Sequence, residues 1–432
     1  MFDRQKKGER AVLVLPHARG EGDAARRAEE FAELVRSAGA EVLASVAARV
    51  EDPNPRYYIG TGKAEEVAEA VRATEADVVL VDHLLTPVQE RNLEKLLAVR
   101  VVDRAGLILD IFAQRARSHE GKLEVELAQL KHLATRLVRG WTHLERQRGG
   151  AIGLRGPGET QLETDRRLLG ERVKMLTRRL EKVQVQRTQQ RRARLRNTVP
   201  RVALVGYTNA GKSTLFNRLT QASVLSADML FATLDPTLRA VNLPHGARII
   251  LSDTVGFISD LPTMLIAAFR ATLEEVIEAD VILHVRDVSH GDTDAQSKDV
   301  ASVLRELGIP PEDGRLIEVW NKVDRVDAAE RERLENLVRR QPAERRPALV
   351  SAATGEGVEG LTDFIEGRLA QTRIVLDLDL DPADGAGASW LHRNAEVLDR
   401  SMREDGRLAM TVRVDPAKAD LVRTKFAGAG RA

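Results

Sequence analysis

The segment RVALVGYTNAGKST, at residues 201–214, restricts the possible folds of this chain more than any other. Gly206, Gly211, Lys212 and Ser213 follow the spacing G-x-x-x-x-G-K-[ST], with an apolar run before them and apolar residues at helical spacing after them. A strand, a glycine-rich turn and a helix in this order form a phosphate-binding loop, because backbone N–H groups and the helix N-terminus attract anions. The segment predicts a parallel-rich sheet with helices on both faces.

The same loop predicts the roles of its side chains. Lys212 is expected to reach the β- and γ-phosphates of a nucleotide, and the Ser213 hydroxyl is expected to ligate Mg²⁺. The glycines let the backbone curl around the phosphates. The predicted contact residues of the loop are Gly206, Tyr207, Thr208, Asn209, Ala210, Gly211, Lys212, Ser213 and Thr214.

Two later segments are predicted to select the base. NKVD follows the apolar run LIEVW, and the carboxylate of Asp324 can accept from both guanine N1–H and N2–H₂, a pair that adenine does not offer. Ser351 and Ala352 follow the apolar residues ALV and are placed to offer backbone groups to the base. The nucleotide is therefore predicted to be GTP or GDP. The predicted base-side residues are Asn321, Lys322, Val323, Asp324, Ser351, Ala352 and Ala353.

The segment DTVG follows the apolar run RIILS. Asp253 is expected to lie just outside the direct ligands of Mg²⁺, and Gly256 to donate its N–H to the γ-phosphate, with Thr254 and Val255 between them in the nucleotide contact set. The phosphate loop, DTVG, NKVD and the Ser-Ala pair, in this order and spacing, resemble the translation-factor-like GTPases. Each tetrapeptide alone is weak, but the combination predicts a GTPase domain.

Two positions bear on catalysis. Phe257 follows DTVG, where many related GTPases carry a glutamine that orients the attacking water, and phenylalanine has no hydrogen-bonding group. We expect Phe257 to pack in the core and the intrinsic turnover to be slow. Asn209 is either a residue that forms a hydrogen bond within the loop or, as in several related GTPases, a side chain that helps hold K⁺ near the phosphates.

The string GGAIGLRGPGETQLETDRR at residues 149–167, with GYTNAGKSTLFN, FATLDPT and YYIGTGKAEEV elsewhere, resembles the HflX family of ribosome-associated GTPases. The resemblance covers most of the chain. It implies that Thr233 supplies a second protein ligand to Mg²⁺ and, with Lys212 and Gly256, completes the catalytic set; spacing alone does not choose between Thr233 and Thr237. It also implies a switch I segment that contacts the nucleotide: Phe231, Ala232, Thr233, Leu234 and Asp235.

Charge is unevenly distributed along the chain. The whole chain has 66 Lys and Arg, 65 Asp and Glu and a net charge of +1, yet residues 166–196 contain twelve basic and two acidic side chains. Such a block is either a solvated helix face or a surface for a polyanion such as RNA. Because the chain has no cysteine, thiolate catalysis and Cys-ligated metals are excluded. The apolar stretch at 11–15 is too short for a signal peptide and no run could span a bilayer, so we expect a cytoplasmic protein without stable membrane insertion. We also expect a monomer.

The periodicity divides the chain into four expected units. Residues 1–115 are expected to form an α/β domain, 116–197 a coiled-coil helical hairpin with a glycine-rich loop at 149–158, 198–371 the P-loop GTPase domain, and 372–432 a small α+β domain. In the last unit a helix is expected around Leu391–Arg400. Gly60-Thr61-Gly62-Lys63 is interpreted as a turn and helix start, with an ATP-binding loop as the alternative.

A flexible cationic tip on a helical stalk suits an RNA crevice, and the resemblance implies that the loop approaches the peptidyl-transferase centre of the large ribosomal subunit. The expected RNA contacts are Arg148, Arg155, Arg191, Arg192, Arg194 and Arg196. The leading hypothesis is a GTPase that dissociates stalled or idle ribosomes into subunits and is stimulated by them. The alternatives are a GTPase of large-subunit assembly and an RNA-binding or RNA-remodelling protein regulated by GTP.

Overall fold

The computed structural model describes residues 8–18, 24–139, 157–194, 199–221, 230–231, 233–260, 270–371, 374–403, 406–414 and 416–426. Within these residues it contains three sheets, of four, six and three strands. The helices cover both faces of the two larger sheets, and two long helices connect those sheets along the chain. The α/β class expected from the sequence is confirmed.

The N-terminal region is a parallel sheet with the strand order β2-β1-β3-β4. Its elements are β1 (Arg10–His17), α1 (Ala24–Ser37), β2 (Glu41–Arg49), α2 (Thr61–Thr74), β3 (Val78–Val81), α3 (Pro87–Leu97), β4 (Arg100–Asp103) and α4 (Arg104–Arg115). Helix α2 begins directly after Gly60, so the Gly-Thr-Gly-Lys segment is a helix start, as interpreted. Helix α4 has no counterpart among the predicted elements. Asp103 caps it by accepting from Gly106 N–H at 2.8 Å, and Ile108 and Phe112 bury its inner face.

Two long helices follow, α5 (His119–Arg139) and α6 (Pro157–Arg194). They pack through the buried side chains of Leu123, Leu176 and Leu180. Helix α6 begins at Pro157, because proline is well suited to the first turn of a helix. The last two residues of the expected glycine-rich loop, 157 and 158, therefore belong to the helix; positions 149–156 lie outside the described residues.

The GTPase region contains the six-stranded sheet, with the order β10-β9-β8-β5-β7-β6. Only the edge strand β6 is antiparallel to its neighbour among the pairs described. Parallel strands reached through helical crossovers place their carboxyl ends on one edge, where ligands bind. The elements are β5 (Arg201–Gly206), α7 (Lys212–Thr220), β6 (Thr237–Asn242), β7 (Arg248–Asp253), α8 (Arg270–Ile277), β8 (Val281–Asp287), α9 (Thr293–Glu306), β9 (Leu316–Asn321), α10 (Ala328–Arg340), β10 (Ala348–Leu349) and α11 (Val358–Gln371).

The C-terminal region is a three-stranded antiparallel sheet, β11-β13-β12, with two helices. It consists of β11 (Ile374–Leu380), α12 (Gly385–Asn394), β12 (Glu396–Met402), β13 (Leu408–Val414) and α13 (Pro416–Lys425). The helix expected around Leu391–Arg400 is wrong in its bounds, because it ends at Asn394 and the following residues form β12. A register shift between Val397 and Asp399 interrupts the alternation of this strand, so its period of two is hidden in the sequence.

One apolar core joins the N-terminal region to the GTPase region. Phe31 and Leu34 of α1 belong to the same buried cluster as Phe231, Phe257 and Ile258. The two regions therefore bury side chains against each other. The GTPase region contributes the segments that precede β6 and follow β7, together with residues of β5, α8, β8 and α9.

Candidate nucleotide-binding site

The phosphate loop connects β5 to α7 at the carboxyl edge of the sheet. Asn209 and Gly211 have positive φ angles, 58° and 91°, which turn successive N–H groups toward the inside of the loop. Gly211 is required for a second reason, because a Cβ there would collide with Nδ2 of Asn321. The strand, turn and helix predicted from the sequence are present.

Lys212 is buried inside this loop. Its Nζ donates to the carbonyl oxygens of Gly206, at 3.1 Å, and Tyr207, at 2.7 Å. Burial lowers the pKa of Lys212 to about 8, and the nearby Asp253 carboxylate opposes that shift. The amine therefore lies within the loop that would surround bound phosphates, and a phosphate group would favour its charged form.

Three oxygen-bearing side chains converge beside the loop. Ser213 Oγ donates to Asp253 Oδ2 at 2.7 Å, Thr233 Oγ1 donates to the same oxygen at 3.1 Å, and the two hydroxyls are 3.1 Å apart. Asp253 Oδ1 is buried and has no hydrogen-bond partner among the described residues. Burial raises the pKa of Asp253, while Ser213 and Lys212 oppose this. A cluster of hard oxygen donors with an unsatisfied carboxylate oxygen fits a divalent cation such as Mg²⁺.

The cluster distinguishes the two threonines that spacing left equal. Thr233 brings its hydroxyl to Asp253 and Ser213, as described above. Thr237 is the first residue of β6, and its backbone pairs with Asp253 in the antiparallel register. Thr233 is thus the threonine whose side chain reaches the predicted metal position.

The DTVG segment lies along the phosphate loop. Thr208 N–H donates to Phe257 O at 2.7 Å, and Phe257 N–H donates to Gly206 O at 3.1 Å. Gly256 fits closely, because a Cβ there would lie 2.8 Å from Thr208 Cα and 2.9 Å from Lys212 Nζ. The Phe257 side chain is buried in the core shared with the N-terminal region, as expected.

Asn321 connects the segments that surround the predicted position of the base. Its Nδ2 donates to Ala210 O at 2.8 Å and its Oδ1 accepts from Ala352 N–H at 2.9 Å, so one side chain connects the phosphate loop to the Ser-Ala segment. Arg218 adds a second connection by donating to the carbonyl oxygens of Ala352, at 3.2 Å, and Ala353. Asp324 is exposed, so its carboxylate is accessible to a base.

Lys322 of the NKVD segment adopts a positive φ of 67° and forms an ion pair with Asp287 at 2.7 Å. Sequence reasoning missed Asp287 and Arg218. Asp287 is the last residue of β8, and an acidic residue at the carboxyl end of a central strand is the signal that could have identified it. Arg218 lies in the last turn of α7 and has no comparable local signal.

The switch I residues have mixed surroundings. Phe231 packs edge-to-face on Phe112 of α4 with ring centroids 4.9 Å apart, and Leu234 is buried in the shared core. Asp235 accepts hydrogen bonds from Arg117 and Ser118 at the start of α5. These three side chains thus contact the N-terminal region and the hairpin, and Thr233 alone is directed to the oxygen cluster. Ala232 lies outside the described residues.

The other predicted residues fall at or behind the loop segments. Thr254 is buried and donates to Leu204 O at 2.5 Å, Val255 is buried, and Val323 packs with Trp320 behind the base-binding segment. Ser351 Oγ accepts from Thr354 N–H at 3.1 Å, and Thr214 lies in the first turn of α7.

The expected RNA-contacting arginines are mostly beyond the described structure. Arg191, Arg192 and Arg194 lie in the last turns of α6, although only their backbone is described. Arg148, Arg155 and Arg196 lie outside the described residues. Among the described residues no group of acidic, histidine or cysteine side chains forms a separate metal cluster. No described helix is long and apolar enough to span a membrane.

A phosphate loop on a parallel sheet, a DxxG segment against it and an NKxD segment fastened to it define a P-loop GTPase. Family models match four successive stretches of the chain: GTP-binding GTPase N-terminal at 25–113, GTP-binding GTPase Middle Region at 115–194, 50S ribosome-binding GTPase at 201–322 and HflX C-terminal domain at 336–431.

Curated relatives agree with these matches. GTPase HflX of Escherichia coli (strain K12) is 50% identical over 421 residues, 96% of this chain and 95% of that protein. GTPase HflX of Magnetococcus marinus is 47% identical over 408 residues, 94% of this chain and 92% of that protein. The chain belongs to the HflX family and is a GTP hydrolase. A crystal structure of a GTP-binding protein from Sulfolobus solfataricus in complex with GDP is 24% identical, with a TM-score of 0.45 over 84% of this chain and 99% of that one.

Proposed function

We propose that this GTPase binds the large ribosomal subunit and uses GTP binding and hydrolysis to separate stalled or idle ribosomes into subunits. The observation that supports the proposal is the charge of the long stalk helix α6. It has 38 residues, which correspond to about 57 Å of helix. A helix of this length, supported by α5 over part of it, can reach into a ribosomal crevice from a GTPase body outside it.

The two faces of α6 differ in character. Leu176 and Leu180 face α5 and are buried, and the opposite side is exposed. The exposed charged residues on that side are Arg167, Lys174, Arg178 and Lys182, with Glu171 and Glu181 among them. The backbone of α6 continues to Arg191, Arg192 and Arg194, and cationic side chains along a helix suit the phosphates of RNA.

The nucleotide site supplies the switch in this proposal. Lys212 binds the β- and γ-phosphates, Gly256 donates its N–H to the γ-phosphate, and Asp324 accepts from guanine. Ser213 and Thr233 would hold Mg²⁺, with Asp253 beside them, and the ion would neutralise charge on the phosphate oxygens. Because Thr233 and Gly256 engage the γ-phosphate side, GTP orders both switches and its hydrolysis releases them.

Catalysis is expected to be slow without the ribosome. Phe257 is buried and has no polar group, so it cannot orient the attacking water. Docking on the large subunit would accelerate turnover by ordering the switch segments. Asn209 is exposed on the phosphate loop with a left-handed backbone, and a K⁺ requirement there is tested by comparing turnover in K⁺ and Na⁺.

Sucrose gradients test the proposal directly. Intact ribosomes are incubated with the protein and GTP, GDP or a non-hydrolysable GTP analogue. We expect loss of intact ribosomes and a gain of free subunits with GTP and with the analogue, and little change with GDP. Unchanged ribosomes would overturn the proposal; binding only to precursor particles would indicate large-subunit assembly, and activity on free duplex RNA would indicate RNA remodelling.

A charge variant tests the stalk. Replacing Arg191, Arg192, Arg194 and Arg196 by alanine is expected to weaken ribosome binding and to lower its salt dependence, by roughly one unit of log–log slope per lost phosphate contact. The matched control replaces four arginines of helix α10: Arg331, Arg333, Arg339 and Arg340. The control is expected to bind ribosomes normally, and both variants are expected to bind GTP normally. Equal ribosome affinity and salt slope in the stalk variant and the wild type would remove the basic run from the interface.

We also propose that the expected units, 1–115, 116–197, 198–371 and 372–432, are the domains of the protein. Each has a sheet or a helical pair with its own packed residues.

A further inference from the structure

Switch I is fastened at both ends to parts of the chain outside the GTPase region. Ahead of Thr233, Leu230 N–H donates to Ser37 Oγ of α1 at 3.0 Å, with both residues buried. Phe231, next in the chain, has a positive φ of 56°, which is unusual for a bulky residue. Its ring lies against Phe112 of α4, and this packing holds the unusual backbone in place.

After Thr233, Asp235 is bound to the residues that directly precede α5, the first helix of the hairpin. Its Oδ2 accepts from Arg117 N–H at 2.7 Å and Ser118 N–H at 2.8 Å, and its Oδ1 accepts from the Ser118 hydroxyl at 2.5 Å. A carboxylate at a helix N-terminus is also favoured by the helix dipole. The first turn of α5 leaves room only for hydrogen at Gly121, because a Cβ there would lie 2.5 Å from Asp235 Oδ1.

Helix α5 does not depend on Asp235 for its first turn. Ser118 precedes the helix, and its Oγ accepts from Gly121 N–H at 2.9 Å, which is an ordinary N-cap. The Asp235 carboxylate therefore connects switch I to the start of α5, two segments that are 117 or more positions apart in the chain. Only one residue, Leu234, separates Asp235 from Thr233, so a displacement of α5 reaches the Thr233 hydroxyl through a very short connection.

We propose that Asp235 is a positioning residue for GTP hydrolysis, which holds Thr233 at the Asp253 and Ser213 oxygens and transmits movement of the stalk to it. Asp235 itself is directed away from that oxygen cluster, toward α5. The part of the inference that concerns the ribosome rests on the proposed function; the part that concerns intrinsic turnover does not.

The C-terminal region offers a matched control for Asp235. Asp384 caps α12 by accepting from Gly387 N–H at 2.8 Å, and a Cβ at Gly387 would collide with the Asp384 carboxylate. The pair thus repeats the geometry of an aspartate beside a first-turn glycine, in a region remote in sequence from the switches. Replacing either aspartate by alanine removes a carboxylate from a helix N-terminus, but only one of them adjoins Thr233.

The first experiment uses the full-length protein without ribosomes. Steady-state GTP hydrolysis and GDP affinity are measured for the wild type, Asp235→Ala and Asp384→Ala. We expect Asp235→Ala to reduce kcat on the order of 10- to 100-fold, because a small displacement of a positioning group is enough to do so. It should raise the Mg²⁺ concentration needed for half-maximal turnover and leave GDP affinity unchanged. Asp235→Asn, which keeps one accepting oxygen, is expected to retain part of the activity.

The Asp384→Ala control distinguishes an effect on the position of Thr233 from a general loss of stability. Asp384→Ala should lower the unfolding midpoint and leave kcat and the Mg²⁺ requirement unaltered. If Asp235→Ala does not fold, Gly121→Ala, which crowds the same carboxylate, is compared with Gly387→Ala in the same assays. Wild-type kcat and Mg²⁺ dependence in the switch I variant would overturn the inference, as would an equal loss of kcat in the C-terminal variant.

The second experiment adds large ribosomal subunits. We expect them to accelerate wild-type turnover and to lose that effect on Asp235→Ala, while the variant still binds them. Acceleration of the variant by the same factor as the wild type would overturn the transmission through Asp235. Failure of large subunits to accelerate the wild type would instead contradict the proposed function, and the ribosome-free assay would still decide whether Asp235 positions Thr233.

Discussion

The base side of the nucleotide site and its switch side are built by different parts of the chain. On the base side, Asn321 and Arg218 connect the phosphate loop, the NKVD segment and the Ser-Ala segment, and all of these lie in the GTPase region. On the switch side, Tyr207 and Ser259 are bound to residues of α1 and α4. The predicted base site is therefore internal to the GTPase region, whereas the residues around the switches are held by the N-terminal region and by the start of α5.

A buried polar network connects the switch side to the N-terminal region. Glu30 of α1 accepts from the Tyr207 hydroxyl and, at 2.7 Å, from the Ser259 hydroxyl. Arg104, the first residue of α4, pairs with Glu30 and Asp82 and donates to Ser259 O at 2.9 Å. Its side chain is only 3% exposed. The residues after DTVG are thus held by charged groups of the N-terminal region in a largely dry environment, where unpaired charges are costly.

The largest expected effect comes from breaking this network. Arg104→Met removes the buried cation that Asp82 and Glu30 share, and we expect the free energy of unfolding to fall by about 3–5 kcal/mol. Chemical denaturation measures the change. Arg331→Met, which breaks an exposed ion pair with Glu356 on the GTPase region, should leave stability unaltered. Similar small changes in both variants would show that the two regions are not coupled through Arg104.

On the base side, Asp324→Asn is expected to weaken GTP binding on the order of 10²-fold, because the amide can no longer accept from both guanine donors. Binding of xanthine nucleotides should improve, since their ring oxygen can accept from the new amide. Nucleotide titrations with GTP and XTP measure both changes. Unaltered GTP affinity would remove Asp324 from the base site, and unfolding stability should not change, because the side chain is exposed.

Asn321→Ala tests the connection within the base side. Ala210 O and Ala352 N–H would lose a buried partner, and we expect GTP and GDP affinity to fall together by about tenfold. The equal effect on both nucleotides separates this variant from those of switch I, which should alter the GTP-dependent steps alone. A loss confined to GTP would show that Asn321 acts through the switches, which would contradict the division between the two sides.

The two sides also differ in how far the sequence predicted them. The base and phosphate residues were predictable because their chemistry is carried by short consecutive segments such as GKST and NKVD. The partners of the switches were not, because Glu30 lies 177 residues from Tyr207 and Ser37 lies 193 residues from Leu230. No local periodicity marks such residues, since each occupies an ordinary position in an amphipathic helix.

The strands and helices show the same limit at the level of the fold. A parallel strand with a continuous apolar run, such as β5, could be identified from sequence. The strand β12 could not, because a bulge disrupts its alternation and its pairing with β13 is what stabilises it. The hairpin was predicted from Leu123 and Leu176 at helical spacing, but the attachment of its first helix to Asp235 depends on tertiary structure alone.

The smallest expected effect is a pH dependence of the free energy of unfolding. It is tested with one histidine on the N-terminal side and one in the GTPase region. Burial lowers the pKa of His132 on α5 and of His284 on β8 to about 4 in both cases. Arg136 also lowers the pKa of His132, and Asp103 opposes this. Arg286 and Lys212 also lower the pKa of His284, and Glu318 opposes this. An unfolded histidine titrates near pH 6.5, so the unfolded chain binds more protons below that pH.

The stability contributed by these neutral histidines is therefore present above about pH 6.5 and lost as the pH falls toward 4. Replacing either His132 or His284 by glutamine should reduce the difference in unfolding midpoint between pH 7 and pH 5, as measured by urea denaturation. Because one apolar core runs through both regions, we expect a single transition that responds to either variant. Two transitions, each sensitive to one histidine, would show that the N-terminal side and the GTPase region unfold separately, and that the switches are held by a contact weaker than the buried network implies.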